Sequence, residues 1–301
     1  MMKGLALGLV TAVRLVLPVV AAGGPQTPVA PHAPTAAAAP AAPSASAAPA
    51  ALPAGEEGAK DALEKSPRHH EWVDVAIPGS KTKVATFVAY PERADKAPVV
   101  LVIHEIFGCT EWARGVGDRL AAEGFLAVVP DLISGLGSNG GGTDSFKAKE
   151  EVLRAVRDLP AEDVTARLDA VSKWARSQPS ASGKVATIGF CWGGTQSFRY
   201  ATSRPELAAA VVYYGTPPDS GMAAIHAPVI GFYGGDDARV TATVDSTAIK
   251  MKALGKSYES HVYPGAGHGF LRAQDGRNGA NMNATMQAWP ATIAFLRKML
   301  G

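Results

Sequence analysis

The chain has 301 residues, 29 of them Lys or Arg and 27 Asp or Glu, with two cysteines. Two of the bases, Lys3 and Arg14, fall in residues 1–55, which hold no acid, so the 27 remaining bases balance 27 acids. A neutral folded part lacks the basic surface of a nucleic-acid binder, and two cysteines cannot make a disulfide framework.

Residues 1–22, MMKGLALGLVTAVRLVLPVVAA, run from one Lys into an apolar stretch ending in small residues. That outline predicts a secretory signal peptide and an exported, periplasmic or secreted protein. Arg14 interrupts the run, which leaves an uncleaved N-terminal anchor, and membrane attachment through it, as the alternative. Residues 23–69 begin with a long Ala, Pro, Ser and Gly stretch that offers few large apolar side chains, and they are read as a disordered linker. Residues 70–301 are long enough for one α/β domain.

Within that domain, WVDVAI (72–77) and KVATFVAY (83–90) read as an antiparallel hairpin at a sheet edge. PVVLVIHE (98–105) is a nearly continuous apolar run, as in a strand covered on both faces. A helix over 110–124, a strand over 125–132 and an amphipathic helix over 162–178 follow. GKVATIGFC (183–191) is a strand leading into a helix that reaches about Ser203. Strands over 207–215, 227–235 and 257–265 and a helix over 286–300 complete the chain. Alternating strands and helices predict an α/β fold, a mostly parallel sheet flanked by helices on both faces, with reactive groups at the carboxyl ends of the strands.

Those strand ends carry the chemistry. His104-Glu105-Ile106 follows one strand, Cys191 another, Asp236-Asp237 another, and His268 lies just past the last. Gly189-Phe190-Cys191-Trp192-Gly193 is a G-x-C-x-G form of the nucleophile elbow, in which glycines permit a sharp turn and leave the middle side chain at its apex. Cys191, an acid and His268 occur in the order nucleophile, acid, histidine found in α/β-hydrolases. Taken alone, each residue has a plainer reading: a buried Cys as apolar filler, Glu105 as half of a salt bridge, Tyr214 as packing beneath the site. The adjacent His69, His70 and Glu71 are poorly spaced to share a metal ion, and no metal or organic cofactor is expected. The glycine-rich stretch 135–142 lacks the ending of a phosphate-binding loop and reads as a mobile lip beside the site.

From about Trp72 to the C-terminus the chain resembles the dienelactone hydrolases (carboxymethylenebutenolidases) of the α/β-hydrolase superfamily. The resemblance is carried by HEIFG (104–108), VVPDL (128–132), GFCWGG (189–194), GGDDARV (234–240) and GAGHGFLR (265–272). It implies Cys191 as nucleophile, His268 as general base and Asp237, rather than Asp236, as the acid that orients it. It further implies that Glu105 sits beside the thiol and controls its ionisation. The oxyanion hole would be the backbone N–H groups of Ile106 and Trp192, and Arg272 would bind a substrate carboxylate. Trp192 would shape the pocket wall and Tyr214 would line it. The chain departs from the family in one respect: Gly135 stands where dienelactone-cleaving members carry a second arginine, a loss that Arg277 could offset. Cys109, on the presumed oxyanion loop, raises the further idea of a reversible disulfide with Cys191.

The expected activity is hydrolysis of a small lactone or ester through an acyl-thioester, by a protein expected to be a monomer. A general esterase or thioesterase of the same fold is the nearest alternative. A non-catalytic binding module of the cell envelope and a thiol redox sensor are more distant ones.

Overall fold

The computed structural model describes residues 51–301. The expected signal peptide and most of the expected linker lie outside them. Among the described residues, no helix is long and apolar enough to cross a membrane.

A single sheet of eight strands forms the frame: β1 (His70–Ala76), β2 (Lys83–Ala89), β3 (Ala97–Ile103), β4 (Leu126–Pro130), β5 (Ala181–Phe190), β6 (Ala209–Tyr213), β7 (Val229–Gly234) and β8 (Tyr258–Tyr263). Their spatial order is β1-β2-β4-β3-β5-β6-β7-β8. The first two strands form the antiparallel edge hairpin, β2 pairs antiparallel with β4, and every other pairing is parallel. The strand order reverses around β3, whose neighbours are β4 on one side and β5 on the other. A crevice at the carboxyl ends of β3 and β5 is therefore the expected place for a site.

The α-helices are α1 (Glu56–Glu64), α2 (Glu111–Ala122), α3 (Lys149–Asp158), α4 (Ala161–Arg176), α5 (Trp192–Ala201), α6 (Ala238–Thr241), α7 (Val244–Ala253) and α8 (Ala280–Leu300). They cover both faces of the sheet, as the alternating pattern predicts. Within β3, Val100 and Val102 join one core with Trp112, Val116, Trp289 and Leu296, while Val99, Leu101 and Ile103 join the other with Leu168, Val171 and Met251. That division explains an apolar run with no polar alternation, since both faces of the strand are buried.

One expectation is corrected at the N-terminal side. Residues 56–64, assigned from sequence to a disordered linker, form α1, which buries Ala59. Leu52 and Leu63 pack against the same core as α2 and α8. The segment is nine residues long with few apolar side chains, so its helix is held by tertiary packing rather than by its own propensity. Gln274 Nε2 adds a hydrogen bond to the Pro53 carbonyl at 2.9 Å. Ser66 and Arg68 extend the attachment by binding the buried Asp118 on α2.

Candidate active site

Cys191 lies between the end of β5 and the start of α5, with φ 55° and ψ −117°. This is a strained conformation for a residue with a side chain, and such strain persists only where the surroundings impose it. The flanking glycines are part of what makes the turn geometrically feasible. A Cβ on Gly189 would stand 1.9 Å from the Gly193 carbonyl oxygen, and one on Gly193 would stand 2.2 Å from that of Ile103. The apex is further anchored by Cys191 N donating to the Tyr213 carbonyl at 3.0 Å.

His268 lies in the loop after β8, and its Nδ1 is 2.5 Å from Asp237 Oδ2. Asp237 is buried, while Asp236 faces outward and pairs with Arg277 at 3.3 Å. The two adjacent aspartates are thus separated by geometry, and Asp237 is the one that reaches the imidazole. Arg277 is occupied on that outer side and does not line the Cys191 cavity.

Cys191 and His268 line one cavity of about 580 Å³, together with Ile106, Arg157, Trp192, Thr195, Tyr214, Thr216 and Arg239. The backbone N–H groups of Trp192 and Ile106 favour the sulfur anion, but they are outweighed. Burial, reinforced by the charge of Glu105, pushes the Cys191 thiol up to about 11. Cys191 is therefore a neutral thiol at physiological pH.

Glu105 is buried, and its Oε2 accepts from Arg272 Nε at 2.7 Å. Its other oxygen has no hydrogen-bond partner, nor does the buried Tyr214 hydroxyl. Burial raises the Glu105 carboxyl above its ordinary value, against the opposing pull of Arg272. Tyr214, at φ 39°, stands edge-on to His268 with ring centroids 5.1 Å apart. It lines the cavity beside His268.

The loop after β3 is braced by His104, which is fully buried. Its Nε2 accepts from Leu132 N at 3.2 Å, so Nδ1 carries the proton and donates to the Glu105 carbonyl at 2.7 Å. Burial lowers its affinity for a second proton. The Trp192 ring stacks on it at 5.6 Å, tying the start of α5 to the loop that carries Ile106.

Several sequence-level expectations are redistributed. Arg272 does not line the cavity; its guanidinium is held by Glu105 and by Glu56 of α1, above the Phe107 ring. The cations that do line the cavity are Arg157 on α3 and Arg239 on α6, which the sequence reading left unassigned. Among the described residues neither forms an ion pair, and no carboxylate lines this cavity. Packing of Val152 and Val156 against Ile133 and Ile106 brings α3 to the site.

The glycine-rich loop is pinned rather than a loose lip. Asp131 accepts from Thr143 N at 2.6 Å and Thr143 Oγ1 at 2.9 Å, and Gly135 N and Gly137 N both donate to the Gly141 carbonyl. Cys109 is fully buried beneath α2, its thiol directed at the Val129 carbonyl, and both cysteines are free thiols. His70 binds Asp118 at 2.7 Å, and Glu71 accepts from the Tyr90 hydroxyl.

Residues 84–300 match the model of the dienelactone hydrolase family. A Salmonella typhimurium protein provisionally named carboxymethylenebutenolidase is 32% identical over 239 residues, covering 75% of this chain and 87% of its own. An Escherichia coli protein with the same provisional name is 33% identical over 208 residues, 65% of this chain and 76% of its own. The crystal structure of a Klebsiella pneumoniae protein, provisionally named a dienelactone hydrolase, superposes with a TM-score of 0.62 at 29% identity, covering 74% of this chain and 99% of that one. An acylaminoacyl peptidase from Pyrococcus horikoshii shares the fold at 16% identity, with a TM-score of 0.59 over 77% of this chain and 42% of its own. With a buried acid on a histidine, a cysteine at a strained elbow and family similarity over most of the described residues, the chain belongs to the dienelactone hydrolase family and is a carboxylic-ester hydrolase of the α/β-hydrolase fold.

Proposed function

We propose that the protein cleaves lactone or ester bonds with Cys191 as nucleophile, His268 as general base and acid, and Asp237 as the group that orients it. One observation carries the reading: Cys191, at its strained elbow, lines one cavity with Ile106, Trp192 and His268, whose Nδ1 is 2.5 Å from Asp237. His268 Nε2 takes the thiol proton as the sulfur bonds to the carbonyl carbon, and the two N–H groups hold the oxyanion. Collapse breaks the ester C–O bond, and His268 returns the proton to the leaving oxygen. Water then attacks the thioester while His268 takes its proton. The C–S bond breaks, the acid departs and the thiol is restored, with one water consumed.

We propose further that the substrate is anionic, because Arg157 and Arg239 line the cavity and no carboxylate does. A carboxylate on the substrate fits the guanidinium fork. Export rests on the signal-like residues 1–22 and is proposed on that basis alone.

The test compares the protein with Cys191→Ala on a short-chain chromogenic ester, then on a carboxylate-bearing lactone. The proposal predicts turnover by the native protein and a loss of about 10³-fold or more in the variant. Equal rates in the two proteins would exclude the thiol mechanism.

A further inference from the structure

Arg272 is gripped from two directions. Inside, its Nε donates to the buried Glu105 at 2.7 Å. Outside, its Nη1 pairs with Glu56 at the start of α1. The guanidinium lies on the Phe107 ring at 4.8 Å, and Lys149 covers the same ring at 4.5 Å. The backbone joins in: Glu56 N donates to the Arg272 carbonyl at 2.9 Å, and Gln274 binds Pro53. Glu56 lies outside residues 84–300, the stretch that matches the family model.

We propose that Glu56 is a positioning residue of the active site: it holds the outer edge of the Arg272 guanidinium while Glu105 holds the inner one, and so fixes the charge that faces the Cys191 thiol. The cluster Glu56, Arg272, Glu105 then carries one net negative charge rather than none. A net negative neighbour disfavours the thiolate. The segment before the family domain thereby helps to keep the nucleophile protonated at rest. The other groups facing Cys191 are Arg239 of α6, Tyr214 after β6, His268 after β8 and Arg157 of α3, none of which Glu56 touches.

The sign of the effect follows from charge. Glu56→Gln removes a negative charge while leaving a side chain of the same size. Over the pH range in which the thiol titrates, Arg272 and Glu105 keep their charges, so the thiolate forms more easily. The experiment follows iodoacetamide modification of Cys191 by peptide mass from pH 8 to 12, in the full chain at fixed ionic strength, with thermal unfolding at each pH as a check on the fold. Glu57→Gln makes the same charge change one residue along, at an exposed side chain that forms no ion pair among the described residues.

The expected result is a titration midpoint about 0.3 to 1 pH unit lower in Glu56→Gln, with Glu57→Gln matching the native protein. Coincident midpoints for the two variants, or an upward move in Glu56→Gln, would overturn the proposal. The inference rests on Cys191 as the proposed nucleophile, but its readout is modification rather than turnover. Failure of the thiol mechanism would show in Cys191→Ala kinetics and would leave this titration intact.

Discussion

The 2.5 Å contact between Asp237 Oδ2 and His268 Nδ1 decides which nitrogen of the imidazole works. With Nδ1 bound to the carboxylate, Nε2 is left to exchange protons in the cavity. Asp236, one residue earlier, spends its carboxylate on Arg277 at the surface. Asp237→Asn is expected to lower kcat by about 10³- to 10⁴-fold, as a wrongly held imidazole does in related triads. Asp236→Asn is expected to stay within about twofold of native, in line with the small worth of exposed ion pairs. Steady-state kinetics on one ester separates the two.

The thiol gives a pH prediction. Because Cys191 is pushed up to about 11, its reaction with iodoacetamide should keep accelerating through pH 10 and reach half its limiting rate only near pH 11. Cys109, buried and pushed up further, should stay unmodified while the fold holds. The same shift bears on stability. The folded thiol holds its proton above the ordinary value of 9.0, so its contribution is complete below about pH 9 and is lost as pH rises towards 11. Denaturant titrations at pH 8 and 10.5 should therefore show a smaller loss of stability in Cys191→Ser than in the native protein.

Arg157 and Arg239 give a specificity prediction. Both are exposed cations on the wall of the Cys191 cavity, so each is expected to act on substrate binding rather than on the chemical step. Arg157→Gln and Arg239→Gln should each raise KM for a carboxylate-bearing ester by about tenfold, consistent with loss of one charged hydrogen bond. KM for a neutral ester of the same shape should be unchanged. An equal effect on both esters would mean that the arginines do not read the charge.

Much of this site was legible because its motifs are local. The elbow glycines, the Asp-Asp pair and the histidine loop each sit directly after a strand, and the apolar pattern of the strands themselves is strong. Assignment of the acid to Asp237 was legible only by resemblance; its physical ground, burial against His268, needed the fold. Arg157 was missed because 149–158 was not recognised as a helix, although its Val152 and Val156 carry helical spacing. Arg239 stood in a quoted motif with no local sign that it would face the thiol. Glu56 was hidden because 216 residues separate it from Arg272, and α1 is held by contacts that no local propensity reveals. The ion pairs of Arg272 were hidden for the same reason, since its partners Glu105 and Glu56 come from distant segments.

The central claim is that an acyl group passes through Cys191. The most direct measurement is to mix the protein with a slowly deacylating activated ester, quench in acid within the first turnovers, and locate the adduct by peptide mass. The account predicts one acyl group per chain, on the peptide containing Cys191, labile to hydroxylamine at neutral pH as a thioester is, and absent in Cys191→Ala. Burst release of the leaving group with the acyl group on another residue, or turnover with no adduct in a protein whose deacylation is slow, would contradict it.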